Sequence, residues 1–179
     1  MTPAKTTTRK TRTKAGTSSV RTATPKTRVK LPPNPFIHEI LDLVEEQKTK
    51  AKKVAILKEY RDDSLTAILI WNFDSSVISA VPEGVVPYKE NEVPIGTDHT
   101  SLRREWKNLF HFIKGGNDSL SNLRRETMFI QLLEGLHPKE AEIICYVKDK
   151  DLKSIYPKIT LDVVKEAFPD ITWGLHRGS

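Results

Sequence analysis

Between Leu132 and Phe168 the chain is punctuated so closely by Gly135, Pro138 and Pro157, with Pro169 just beyond, that it can hold only short helices. A residue without Cβ can close a helix in the left-handed conformation, so Gly135 is expected to end one helix that way. Pro138 then opens another at its first turn, where a missing N–H costs nothing. Ala141, Ile144 and Cys145 mark an apolar stripe at helical spacing. Lys148, Lys150 and Lys153 follow, where cations suit the helix's negative end. Thr160 is placed to cap a last helix with Leu161, Val164, Ala167 and Phe168 on its inner face. Leu136, Ile144, Val164 and Phe168 are expected in the main core. The stretch reads as a helical module presenting a lysine-bearing turn.

The same periodicity runs upstream. Pro32, Pro33 and Pro35 enforce an extended lead-in, and Asn34-Pro35 looks like a cap followed by a first-turn proline. Phe36, Ile37, Ile40, Leu41 and Val44 form the apolar face of a first helix, and Val54, Ile56, Leu57 and Tyr60 that of a second. Lys48, Lys50, Lys52 and Lys53 join them, either as a solvated face or as one that meets phosphate. Asp63 is expected to cap a third helix containing Leu65, Ile68, Leu69 and Trp71. Prolines and glycines from Asp74 to Asp98 then mark a long loop with short extended pieces. Helical signal resumes from Thr100 to Ile113. Another helix is expected to start at Asp118 or Ser119, with Leu120, Leu123, Met128, Leu132 and Leu133 inside. Each of these two helices carries an arginine pair near its start, Arg103-Arg104 and Arg124-Arg125. Positive charge there opposes the macrodipole and asks for an anion, which Glu105, Glu126 or a phosphate could supply.

Charge is distributed unevenly. Residues 1–30 hold Lys5, Arg9, Lys10, Arg12, Lys14, Arg21, Lys26, Arg28 and Lys30 and no acid, so the net charge of +6 leaves residues 31–179 at −3. That segment has too little apolar surface to offset an ordering cost of about 1–2 kcal/mol per residue, so it is expected to be disordered when free. Spaced cations without aromatics suit phosphate neutralisation and not base stacking. A solvated leader and an organelle transit peptide share the composition, although no apolar face accompanies this charge. The domain plan is a basic arm over 1–33, a helical domain over 34–173 and a flexible tail over 174–179.

Several functional classes lack their signatures. No run of 18 apolar residues exists to span a membrane, and no secretory h-region is visible. One cysteine, Cys145, cannot make an internal disulfide and suits a reducing compartment. It reads as a small buried hydrophobe. The five histidines show no metal-ligand spacing, and neither a phosphate loop nor a GxSxG elbow occurs. No enzyme, cofactor or metal is expected.

A lysine-rich join before AILKEYRDDSLTAIL at 55–69, a proline-containing insert, FIKGGNDSL at 112–120 and KITLDVVKEAFPDI at 158–171 occur in a telling order. From about Phe36 to Ile171 the chain resembles the all-helical N-terminal DNA-binding domain of ATP-dependent DNA ligases of the T4-like phage type. It is also similar to small proteins of T4-like phages of cyanobacteria. The resemblance implies a compact helical domain that straddles duplex DNA and grips its backbone through helix ends and turns. The matching turn here holds Lys148, Lys150, Lys153 and Lys158, with Asp149 and Asp151 between them. Ligase catalysis is not implied, because Lys148-Asp149-Lys150-Asp151 has aspartate where the KxDG motif needs glycine.

These readings converge on an all-α domain with a basic arm, binding duplex DNA without catalysis. The expected contacts are Arg9, Lys10, Arg12, Lys14, Arg21, Lys26, Arg28 and Lys30 on the arm. On the body they are Arg103, Arg104, Arg124, Arg125, Lys148, Lys150, Lys153 and Lys158. The setting would be the host cytoplasm, at the nucleoid. The competing expectation is a virion or complex-assembly protein whose body docks on a phage or host protein.

Overall fold

A computed structural model describes residues 30–94 and 100–174. The expected disorder of the arm, with Arg9, Lys10, Arg12, Lys14, Arg21, Lys26 and Arg28, lies outside the described residues, as do 95–99 and 175–179. The chain divides after Lys30, and every element below belongs to the unit that begins at Leu31.

That unit is all-α. It comprises α1 (Ile37–Glu45), α2 (Lys50–Glu59), α3 (Asp63–Phe73), α4 (Leu102–Glu105), α5 (Asn122–Gly135), α6 (Pro138–Lys148) and α7 (Leu161–Ala167). Two 3₁₀ segments, Trp106–Phe112 and Leu152–Ser154, complete it. Among the described residues the only β-pairing is two isolated bridges, Ser79 with Ile113 and Thr100 with Leu136. Helix α6 lies at the centre, packed on α1, α3 and α5, while α2 packs on α1 and α7. Leu136, Ile144, Val164 and Phe168 are fully buried in one core with Ile40, Leu57, Leu69 and Phe129.

Local chemistry explains where the helices start. Helix α1 begins at Ile37, later than Asn34-Pro35 suggests, because the Glu39 carboxylate accepts from the Phe36 N–H at 2.8 Å and caps the chain there. Asp62, not Asp63, caps α3, accepting from the Leu65 N–H at 2.7 Å. Pro138 sits at the first turn of α6 as expected, with His137 Nδ1 accepting from the Lys139 N–H. Thr160 holds the cap position of α7, but its side chain makes no capping hydrogen bond; only its carbonyl accepts, from the Val164 N–H at 3.1 Å.

Three expectations fail for reasons of packing. The segment after Thr100 makes only one α-turn before Trp106–Phe112 tightens to 3₁₀. Buried Leu109 and Phe112 and half-buried Trp106 recur every third residue, and three residues per turn puts them on one side. Helix α5 starts at Asn122, capped by Ser121, because Asp118 is engaged by the Gly115 N–H and Ser119 by Asn117. Its inner face is then Arg125, Phe129 and Leu133, and Leu123 is 78% exposed. Gly135 ends α5 without a positive φ. Its role is close approach: its carbonyl accepts from the Thr100 N–H at 2.9 Å, and a Cβ would lie 3.3 Å from the Thr100 methyl.

Candidate nucleic-acid interface

The lysine-bearing turn after α6 is the sequence's strongest pointer to an anionic partner, and its geometry separates its four lysines. Asp149 ends α6. Lys150 follows at φ 57, and the Lys150 and Asp151 N–H groups return to the Val147 and Tyr146 carbonyls at 3.0 and 2.9 Å. This is a Schellman closure with lysine where glycine is usual, at a cost of about 1–2 kcal/mol. Two hydrogen bonds offset the cost. Lys150 Nζ donates to the Trp71 and Asp74 carbonyls at 2.7 and 2.6 Å, at the negative end of α3. Burial lowers its pKa, against the attraction of Asp74.

Lys148 is deeper. It is 2% exposed, and its ammonium donates to the Pro82 and Gly84 carbonyls at 3.0 and 2.8 Å and to Asp149 Oδ1 at 2.6 Å. Its own carbonyl accepts from the Ser79 hydroxyl, which in turn accepts from the Trp71 indole N–H at 2.9 Å. Lys148 and Lys150 therefore fasten the loop after α3 to the end of α6. Both ammoniums are spent on carbonyls of the fold, Lys148 buried and Lys150 half-buried, where the sequence suggests four free lysines.

The arginine pairs divide similarly. Arg125 is 7% exposed, its guanidinium filled by the His111, Asn117 and Leu120 carbonyls and by Asn122 Oδ1. It organises the 111–122 turn, where four of its five N–H donors are spent. Arg103 is half-buried between the Asp62 carboxylate and the Pro35 carbonyl. Its anion is thus Asp62, not the adjacent Glu105, which accepts from Thr100 and Asn108. Arg104 and Arg124 are exposed, as is Lys30.

What remains of the turn is Lys153 and Lys158, both exposed. The fold adds a neighbour from far along the chain: Lys53 Nζ donates to the Lys158 carbonyl at 2.9 Å. Glu45 secures the junction, its carboxylate accepting from the Lys158 N–H at 3.1 Å and its carbonyl from Lys158 Nζ at 3.1 Å. Lys48 lies three residues beyond Glu45, Lys52 lies beside Lys53, and both are exposed. Lys50 pairs with Glu166 at 2.8 Å. Helix α2 has no acid in its first turn, so these lysines are compensated only from outside the helix, Lys50 by Glu166. The missing acid is the feature of this join that the sequence displays beforehand.

Among the described residues no group of three or more His, Cys, Asp or Glu could hold a metal, and no helix is long and apolar enough to cross a membrane.

Fold and surface define a small all-helical protein with a lysine face where the α1–α2 join meets the lead-in to α7. The model of a family of unknown function, DUF6433, matches residues 40–154, and the chain belongs to that family. No curated protein and no solved structure matches it.

Proposed function

We propose that this protein binds duplex DNA without catalysis, its basic arm neutralising phosphates and its helical body setting the position on the duplex. The observation that carries the body's part is the junction of half-buried Lys53 with exposed Lys158, which brings a cation of α2 beside one of the lead-in to α7. Phosphate contacts of this kind position a protein and carry no sequence information. The arm adds affinity through counterion release. The likeness to the ligase DNA-binding domain supports the same reading, with Lys153 and Lys158 in the part first assigned to the whole turn. Such a protein would act in phage DNA metabolism or genome organisation, at the nucleoid of the host cytoplasm. The net −3 of residues 31–179 favours a second reading, a virion or complex-assembly protein whose body docks on another protein.

Salt-titrated binding of the full chain to duplex DNA tests both. Changing Lys53, Lys153 and Lys158 together to Gln is expected to flatten the log-affinity against log-salt slope by about 2.7, at about 0.9 for each phosphate no longer neutralised. Lys148→Gln should not change that slope if the protein stays folded. Neutralising the arm should flatten it further while leaving weak duplex binding. An arm-neutralised protein that ignores DNA at about 20 mM salt, where screening is weak, yet retains a protein partner would replace the first reading with the second.

A further inference from the structure

The loop that Lys148 holds down continues through Val85 to Tyr88 without regular secondary structure, alongside α6. Between them lies a cleft of about 520 Å³, lined by Val86, Tyr88, Pro138, Cys145 and Tyr146, with Glu90 and Glu142 at its rim. That size falls within the roughly 300–1,000 Å³ of ligand-binding clefts. A second hollow shares Glu90 and adds Glu92 and Glu134.

Three features here point to the same kind of occupant. Among the described residues, no hydrogen bond closes on the backbone of Val85, Val86 or Tyr88, so this backbone edge keeps N–H and C=O groups for an added chain. Pro87 interrupts that edge, as prolines do where uncontrolled strand pairing is avoided. The Val85 side chain is 100% exposed at the tip, and Tyr88 and Tyr146 present rings to the cleft. Glu90, Glu142 and Asp149 outnumber Lys139, the one cation of the lining, and the Tyr88 phenol and Cys145 thiol respond to that surplus. Burial pushes the Tyr88 phenol up to about 12, with Cys145, Glu90 and Glu142 adding to the effect. Burial likewise pushes the Cys145 thiol up to about 11, against Lys148 and with Asp149 and Glu142.

We propose that this cleft docks an extended, lysine- or arginine-bearing segment of a partner protein. Its backbone would pair with Val85–Val86, one apolar side chain would lie between Tyr88 and Tyr146, and a cation would sit at Glu90 and Glu142. The surplus of carboxylates over Lys139 disfavours a polyanion on this surface, so the proposal stands independently of DNA binding at the lysine face.

Cys145 gives a local readout, because it is the chain's one cysteine and it lines the cleft. The probe is a fluorescent peptide alternating lysine with leucine, added to the full chain while Cys145 is alkylated with iodoacetamide. Saturating peptide is expected to slow alkylation at least tenfold. Exchanging the peptide's lysines for glutamate, or its leucines for glycine, should abolish that protection. Both Glu90 and Glu142 are exposed and make no hydrogen bond that the fold depends on, so Glu90→Lys with Glu142→Lys should leave the melting curve unchanged and weaken the peptide at least tenfold. Duplex DNA should not protect Cys145. The proposal is overturned if the peptide fails to bind at about 1 mM, the weak limit of specific recognition. It is equally overturned if the peptide binds without protecting Cys145, or if the double charge reversal leaves its affinity intact.

Discussion

Lys148→Ala is expected to destabilise the protein by roughly 2–4 kcal/mol, while Lys153→Ala, five residues on in the same turn, should cost less than about 0.5 kcal/mol. The difference follows from what each ammonium touches. Removing Lys148 leaves the Pro82 and Gly84 carbonyls and Asp149 Oδ1 without their donor and empties a site that is 2% exposed. A buried polar group left unpaired costs about 1–3 kcal/mol, and partial solvent access to Asp149 keeps the total below the value for a sealed ion pair. Lys153 is exposed, and only water need replace it. Lys148→Met keeps the buried stem and should recover part of the loss. Urea unfolding of the three variants measures this directly. Equal costs for Lys148→Ala and Lys153→Ala would mean that the ammonium–carbonyl clamp contributes nothing.

That contrast shows which information the sequence carries about its own fold. Pro138, Leu136, Ile144, Val164 and Phe168 are legible because helix initiation and amphipathic spacing are properties of neighbouring residues. Which acceptor receives a given cation is not local. Lys148 reaches carbonyls 66 and 64 residues away, and Lys150 reaches across 79 and 76. Four lysines in one turn look alike until the loop after α3 is folded against two of them. Arg125 differs, since its acceptors lie within 14 residues. Periodicity misplaces it because Leu123 reads as part of the inner face, whereas the face that packs is Arg125, Phe129 and Leu133. The junction of Lys53 with Lys158 spans 105 residues. Only its precondition, a helix start with four lysines and no acid, can be read beforehand.

Glu140 is the residue least visible in the sequence. As an acid in the first turn of α6 it reads as ordinary compensation of the helix dipole, yet its side chain is fully buried and neither carboxyl oxygen closes a hydrogen bond of ordinary geometry. Burial pushes its pKa up to about 7. The N–H groups of Leu102 and Ile37, at the starts of α4 and α1, and the charge of Arg103 pull it back down, while Glu39 opposes them. Nearby on α1, His38 stacks on His137 with ring centres 4.7 Å apart and on Phe36 at 5.4 Å. Burial and His137 lower its pKa to about 4, Lys139 adding to this and Asp42 and Glu39 resisting it. The two groups respond to pH with opposite sign. Glu140 is held protonated by the fold, so its contribution is complete below about 4.5 and is lost as pH rises through about 7. His38 is held neutral, so its contribution is complete above about 6.5 and is lost as pH falls through about 4. Between those limits the unfolded chain exchanges the opposite proton at each site, and the two slopes offset one another. Stability of the intact protein is therefore expected to stay nearly level from about pH 4.5 to 6.5. Glu140→Gln should expose the histidine slope, stability rising by roughly 3 kcal/mol as pH increases across that window. His38→Phe, which keeps a ring in the stack, should expose the carboxyl slope, stability falling by a similar amount between about pH 4.5 and 7. Urea midpoints measured at half-unit steps of pH for the three proteins decide the matter: parallel curves would show that neither side chain exchanges its proton on unfolding, and slopes of the same sign would show that one of the two is assigned the wrong charge in the fold.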